Sequence, residues 1–149
     1  MKLRWVALAI AVCSAVTLVI PNIAGAAKRP LHADLNGQNE VGAGDPNGGG
    51  SFAAVIDGNE LCYGLAVRDI QDPLFAHIHR GRAGTNGDIV VTLRHPRNGD
   101  PGASSGCVTL RPELRRSIRR RPSRYYVNVH TRRYPDGAIR GQLFSRGGA

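Results

Sequence analysis

Beyond residue 30, apolar and polar residues alternate in short runs with a period of two, the pattern of strands buried on one face. The clearest run is Glu60 to Arg68, where Leu61, Tyr63, Leu65 and Val67 share one face and Cys62, Gly64, Ala66 and Arg68 share the other. Ser51 to Ile56 precedes it, and Asp57-Gly58-Asn59 between them carries the Asp-Gly pair that favours a hairpin turn. Leu31 to Leu35, Phe75 to His79, Asp88 to Leu93, Tyr125 to Arg132 and Ala138 to Phe144 are further strand-like runs. The glycine-rich stretch ending in Gly48-Gly49-Gly50 predicts a flexible loop, Arg80 to Gly87 a plain connection and Arg94 to Gly106 a loop rich in Pro, Gly, Asn and Asp.

The period changes between Arg111 and Arg124. Leu110, Leu114 and Ile118 recur at four-residue spacing, Pro112 suits a first helical position, and Pro122 ends the segment. The whole pattern predicts an all-β fold, an antiparallel sandwich or barrel of the superoxide-dismutase-like or immunoglobulin-like kind. About seven or eight short strands are expected, with one helical insertion near 112–120.

The same alternation gathers chemistry on one strand face. In Phe75-Ala76-His77-Ile78-His79 the two imidazoles project together, about 6.6 to 7 Å apart along the strand, a spacing that suits two ligands of one ion. In the run from Tyr125, the residues Tyr126, Asn128 and His130 share a face, opposite Val127 and Val129. Tyr134-Pro135-Asp136-Gly137 predicts a three-residue hairpin loop. With Tyr134 paired to Ala138, His130 faces Gln142, Arg132 faces Arg140 and Asn128 faces Phe144, so Asn128, His130, Arg132, Arg140 and Gln142 form one polar row. His32 and His95 are weakly placed for a site, the second in a loop.

Composition changes the picture in three ways. Met1 to Ala27 has a basic start, an apolar run from Trp5 to Ile20 and a small-residue end, the parts of a secretory signal. Cleavage after Ala26 is expected, leaving one domain over 27–149 in a secreted or cell-envelope protein without a membrane span; a retained anchor is the alternative. Cys13 would leave with the signal, and an oxidising compartment favours pairing of Cys62 with Cys107. Finally, the region from Arg111 to Arg124 holds seven arginines. An exported chain seldom meets nucleic acid and no aromatic or glycine pattern of a binding module accompanies this charge, so a solvated face drawn to anionic cell-surface polymers or lipid headgroups is expected.

Ala76-His77-Ile78-His79-Arg80-Gly81, the stretch Gly84 to Leu93, Tyr126-Val127-Asn128-Val129-His130-Thr131 and Gly137-Ala138-Ile139-Arg140-Gly141-Gln142-Leu143 resemble the CHRD domain, the chordin-type module. Leu35 to Val41 resembles that domain's opening, with Gly42 and Ala43 where prolines are common. The resemblance implies an exported all-β binding module, found alone in bacteria and repeated in animal chordin, with an extracellular protein as partner. The His-x-His strand is also similar to that of copper-zinc superoxide dismutase. That similarity extends to His77 and His79, with His130 as a third copper-type ligand and Arg140 in the place of a substrate-guiding arginine. A clear bridging histidine and a histidine/aspartate zinc cluster are lacking.

Three neutral imidazoles suit copper or zinc, with Asn128 and Gln142 available to orient the rings; Arg132 and Arg140 would repel a cation if they point inward. The leading expectation is a CHRD-type interaction module with a three-histidine site for copper or zinc and no catalytic residue. A superoxide-dismutase-like copper enzyme is the first alternative. A metal-free polar network of the same histidines, amides and arginine is the second.

Overall fold

The computed structural model describes residues 29–145. The signal segment expected over 1–26 lies outside the described residues. Nine strands form one antiparallel sheet: β1 (Leu31–Asn36), β2 (Gly49–Asp57), β3 (Glu60–Arg68), β4 (Pro73–Arg80), β5 (Ile89–Leu93), β6 (Gly102–Thr109), β7 (Tyr125–Thr131), β8 (Ile139–Gln142) and β9 (Phe144–Ser145). Their order is β5-β4-β7-β8-β1-β2-β3-β6, with β9 also pairing to β1. The sheet curls into a nearly closed barrel whose end strands are β5 and β6. Near that gap the Ser104 hydroxyl donates to the Arg94 carbonyl (2.7 Å), and the Arg94 N–H donates to the Tyr63 hydroxyl (2.7 Å).

The period-two residues line the interior. Leu61, Tyr63, Leu65 and Val67 of β3 are buried together with Phe52, Ala54 and Ile56 of β2, as the alternation predicts. The helix α1 (Pro112–Arg120) begins at its proline and buries Leu114 and Ile118 against the same core, each contributing about 1.5 to 3 kcal/mol. It packs against the β2–β3 turn: the Arg115 and Arg119 guanidiniums donate to the Gly58 and Ile56 carbonyls, both at 2.8 Å. Instead of simply ending the segment, Pro122 opens a 3-10 turn, Pro122–Arg124. Cys62 and Cys107 stand directly opposite one another on β3 and β6 and form a disulfide. Among the described residues, no helix is long and apolar enough to cross a membrane.

Three local expectations are corrected. The loop after β5 is shorter than Arg94 to Gly106, because β6 begins at Gly102 and pairs with β3 along its length. The run from Ala138 to Phe144 breaks at Leu143, and Phe144–Ser145 turns to pair with β1. Most consequentially, β7 and β8 pair four residues away from the predicted register: Tyr126, not His130, faces Gln142, and Asn128 faces Arg140. The Tyr134–Gly137 turn forms, with the Gly137 N–H donating to the Tyr134 carbonyl (3.2 Å), but it sits in a wider loop outside the strands. Arg132 falls in that loop and is exposed, so it leaves the polar row. Because a four-residue displacement is even, the two faces keep their composition.

β7 is buried at every position, on both faces of the sheet. Its inner face meets the core, and its outer face is roofed by loops. The segment after β1, expected as a flexible loop, makes a 3-10 turn (Gly37–Asn39) capped by the Asn36 side chain and is tied to β8 by an Asn39 Nδ2 bond to the Arg140 carbonyl (3.1 Å). This covered outer face of β4, β7 and β8 carries the histidines.

Candidate metal centre

His77 and His79 come from β4 and His130 from the neighbouring strand β7, where Phe75 faces His130, His77 faces Asn128 and His79 faces Tyr126. The pairing of β4 with β7 thus brings the three histidines together. One nitrogen from each ring can be chosen so that all three lie within 4.8 Å of one another. The closest pair is His77 Nδ1 and His130 Nε2, 3.2 Å apart. Two ligands of a tetrahedral ion, each about 2.0 to 2.1 Å from it, lie roughly 3.3 to 3.4 Å apart, so this edge is near the spacing of a shared ion, while the full set, within 4.8 Å, would draw in to hold one.

Backbone carbonyls fix two of the rings. His79 Nδ1–H donates to the Gly87 carbonyl (2.9 Å), and His130 Nδ1–H donates to the Pro135 carbonyl (2.9 Å). A carbonyl can only accept, so each neutral ring presents its Nε2 lone pair to the cluster. His79 Nε2 is buried and has no hydrogen-bond partner. His77, half-buried, has no such anchor; its ring stacks on the exposed Phe75 (centroids 6.1 Å apart). Burial holds the pKa of all three rings below the ordinary imidazole value, and for His77, with the help of its two neighbours, down to about 4. The rings are therefore neutral near pH 7, the form in which they can ligate.

The polar residues expected to orient the imidazoles act one layer away. Asn128 Nδ2 donates to Glu40 (3.3 Å), and Gln142 Nε2 donates to the Gly81 and Ser123 carbonyls (2.7 and 2.8 Å); neither bonds a histidine. Arg140, 1 % exposed, clamps the loop after β4, and its charge still reaches the cluster, where it helps to lower the His79 pKa. Its guanidinium donates to the Arg82 and Thr85 carbonyls (2.9 and 2.6 Å) and to Asn86 Oδ1 (3.3 Å), and lies 3.4 Å from the centre of the Tyr126 ring. Tyr126 in turn stacks on His79 (centroids 4.8 Å, 6° apart), and its hydroxyl accepts from the Gly87 N–H (3.2 Å). A side chain on Gly87 would strike the Arg80 carbonyl, so the loop can present the Gly87 carbonyl to His79 only with glycine there. His32 lies tilted against Phe144 and His95 bonds the Pro96 carbonyl, both apart from the cluster.

The model of the CHRD domain family matches residues 31–143. The chain belongs to the CHRD family. No curated protein and no solved structure shows a significant match to it. Each of the segments carrying the resemblance supplies part of the site: the His-x-His segment two ligand candidates, the Gly84 to Leu93 stretch the carbonyl that anchors His79, the Asn-Val-His-Thr segment the third histidine, and the last segment the Arg140 clamp.

The opening segment of the CHRD domain supplies a residue that the sequence pattern did not single out. Glu40 folds back over β7, where burial raises its pKa from 4.5 to about 7 against the opposing influence of Arg140 and Asn128. Its Oε1 is buried without a partner, and its carboxyl fills the space above Gly137, whose φ of 147° also favours glycine. Presence in the motif was the available signal; burial came only with the fold.

These shifts act on opposite flanks of the pH range. The raised Glu40 contributes stability that is full below about pH 4.5 and lost as pH rises through about 7. The lowered histidines contribute stability that is full above about pH 6.5 and lost as pH falls through their lowered pKa values, about 4 for His77. Glu40→Gln, neutral throughout, should remove the alkaline loss: its Tm relative to the wild type should rise by a few degrees between pH 5 and pH 8. A pH-independent difference in Tm would contradict the assignment.

Proposed function

We propose that this CHRD domain is an interaction module of an exported protein and that His77, His79 and His130 hold one copper or zinc ion. The observation that carries the metal reading is the unpartnered, buried His79 Nε2 beside the His130 Nε2 and His77 Nδ1 atoms. A buried nitrogen without a partner is costly in a finished polar network and natural in a ligand. Without an ion, His77 Nδ1–H satisfies His130 Nε2; with one, that proton moves to the outer nitrogen of His77 and all three lone pairs converge. Export is supported by the apolar N-terminal run, expected to be cleaved after Ala26, and by the Cys62–Cys107 disulfide.

The copper-enzyme alternative gains nothing from Arg140, whose guanidinium is engaged by loop carbonyls rather than free to guide a substrate. Metal analysis and titration of the protein, purified without a histidine tag, test the proposal. The wild type should take up one equivalent of copper or zinc. His77→Ala, His79→Ala and His130→Ala should each weaken binding by more than the roughly 10- to 100-fold that loss of an outer-shell partner costs. A folded wild type that takes up neither ion, or a His130→Ala variant that binds as well as the wild type, would overturn it. Lower Tm in the variants without any metal effect would establish the metal-free polar network instead.

A further inference from the structure

We infer that the arginine band formed by α1, the 3-10 turn after it and the start of the β4–β5 loop is a docking surface for a linear phosphate polymer. The inference stands apart from the metal reading, since it uses none of the residues at the histidine cluster.

The structure sorts the seven arginines between Arg111 and Arg124 into three groups. Arg115 and Arg119 hold the β2–β3 turn through its carbonyls, which accounts for them as parts of the fold. Arg116 makes an exposed pair with Glu113 (3.3 Å), an interaction worth little in water. Arg111, Arg120, Arg121 and Arg124 are exposed, and among the described residues their side chains have no partner.

The band continues beyond the helix. The Gly81 N–H donates to the Arg124 carbonyl (2.8 Å), and Gln142 bridges the Gly81 and Ser123 carbonyls. These bonds bring the exposed Arg80 and Arg82 alongside Arg124, with the Arg80 guanidinium 5.8 Å from the centre of the Tyr125 ring. The opposing acids are few: Glu113 on the helix, Asp57 and Glu60 on the hairpin beneath it and Asp88 after the loop.

Two observations favour a polymer over a bilayer. The apolar residues of the helix, Leu114 and Ile118, are buried in the core, and none of the large exposed apolar residues (Val41, Val55, Leu74, Phe75, Ile89) lies between 111 and 124, so the helix and the turn after it have nothing to insert into lipid. Its helical part is also a narrow strip: the nine-residue helix runs about 14 Å before Arg121, with φ −141° and ψ 61°, leads the chain into the three-residue turn. A flat membrane meets a plane, whereas a flexible chain can follow a strip. Phosphate is the matching group because a guanidinium offers paired N–H donors to its oxygens and the charge recurs at each repeat.

Titration with inorganic polyphosphate tests the inference. Arg116→Gln/Arg120→Gln/Arg121→Gln/Arg124→Gln should bind at least about tenfold more weakly than the wild type, with an affinity that depends less on salt. Arg94→Gln/Arg97→Gln/Arg132→Gln/Arg133→Gln, which removes the same charge from other exposed positions, should stay near the wild type. The double variant Arg120→Gln/Arg121→Gln should show a smaller loss and serves if the quadruple variant fails to fold. Equal losses in both quadruple variants would reduce the effect to net charge and overturn the inference. Binding to vesicles of equal parts phosphatidylglycerol and phosphatidylcholine, with none to polyphosphate, would overturn it in favour of a membrane surface.

Discussion

Arg140→Met is expected to lower the stability of the protein by a few kcal/mol, since each covered acceptor left without its donor costs about 1 to 3 kcal/mol. Methionine fills much of the same volume, so the loss is one of hydrogen bonds rather than of packing. The Thr85 carbonyl and Asn86 Oδ1 would lose the guanidinium donor, the Arg82 carbonyl would keep only its bonds from the Thr85 N–H and hydroxyl, and the Tyr126 ring would lose its cation. Urea denaturation reads the loss. A second readout separates the loop from the rest of the fold: amide hydrogen exchange should accelerate over residues 82–87 more than in β2 and β3. The freed loop would also loosen Gly87, whose carbonyl orients His79, so any metal affinity should fall by roughly 10- to 100-fold. Arg140→Lys keeps the charge but not the fork of donors and should recover only part of the stability. A methionine variant as stable as the wild type, with unchanged exchange in the loop, would show that the loop is held by other contacts.

Removal of the disulfide is the second large effect. Cys62 and Cys107 close a loop with a sequence separation of 45, and Cys62→Ser/Cys107→Ser should cost about 4 kcal/mol in the chain-entropy account. The bond joins β3 to β6, which ends the sheet, has mostly small residues and is nowhere fully buried. Fraying should therefore begin at β6, seen as faster exchange at residues 102–109 before global unfolding. Unfolding of the wild type with and without reductant gives the same comparison without mutation. A change well below 1 kcal/mol would mean that the pairing with β3 alone holds the end strand.

Local sequence determined a great deal of this protein. A period of two fixed which residues of β2, β3, β4 and β7 face the core, and a period near four with Pro112 fixed the helix, because both patterns follow from backbone geometry within a few residues. The pairing of β7 with β8 shows where that information stops. The turn at Tyr134–Gly137 was legible, yet it lies inside a wider loop, so the register differs by four residues from the one the turn alone predicts. The polar face survived the error because side-chain direction repeats every two residues.

Only the tertiary structure decided the site. His77 and His130 are 53 residues apart, and their meeting depends on β4 lying beside β7 in the sheet. Period and turn chemistry do not encode strand order, which follows from the closure of the whole sheet around its core. The roof is equally non-local: Glu40 and the loop carrying Arg82, Thr85 and Gly87 cover the outer face of β7 and β8. Burial under that roof lowers the histidine pKa values, raises that of Glu40 and turns Arg140 from a surface charge into a clamp. Desolvation and carbonyl orientation depend on what lies above a residue, and in this chain that is set by segments distant in sequence.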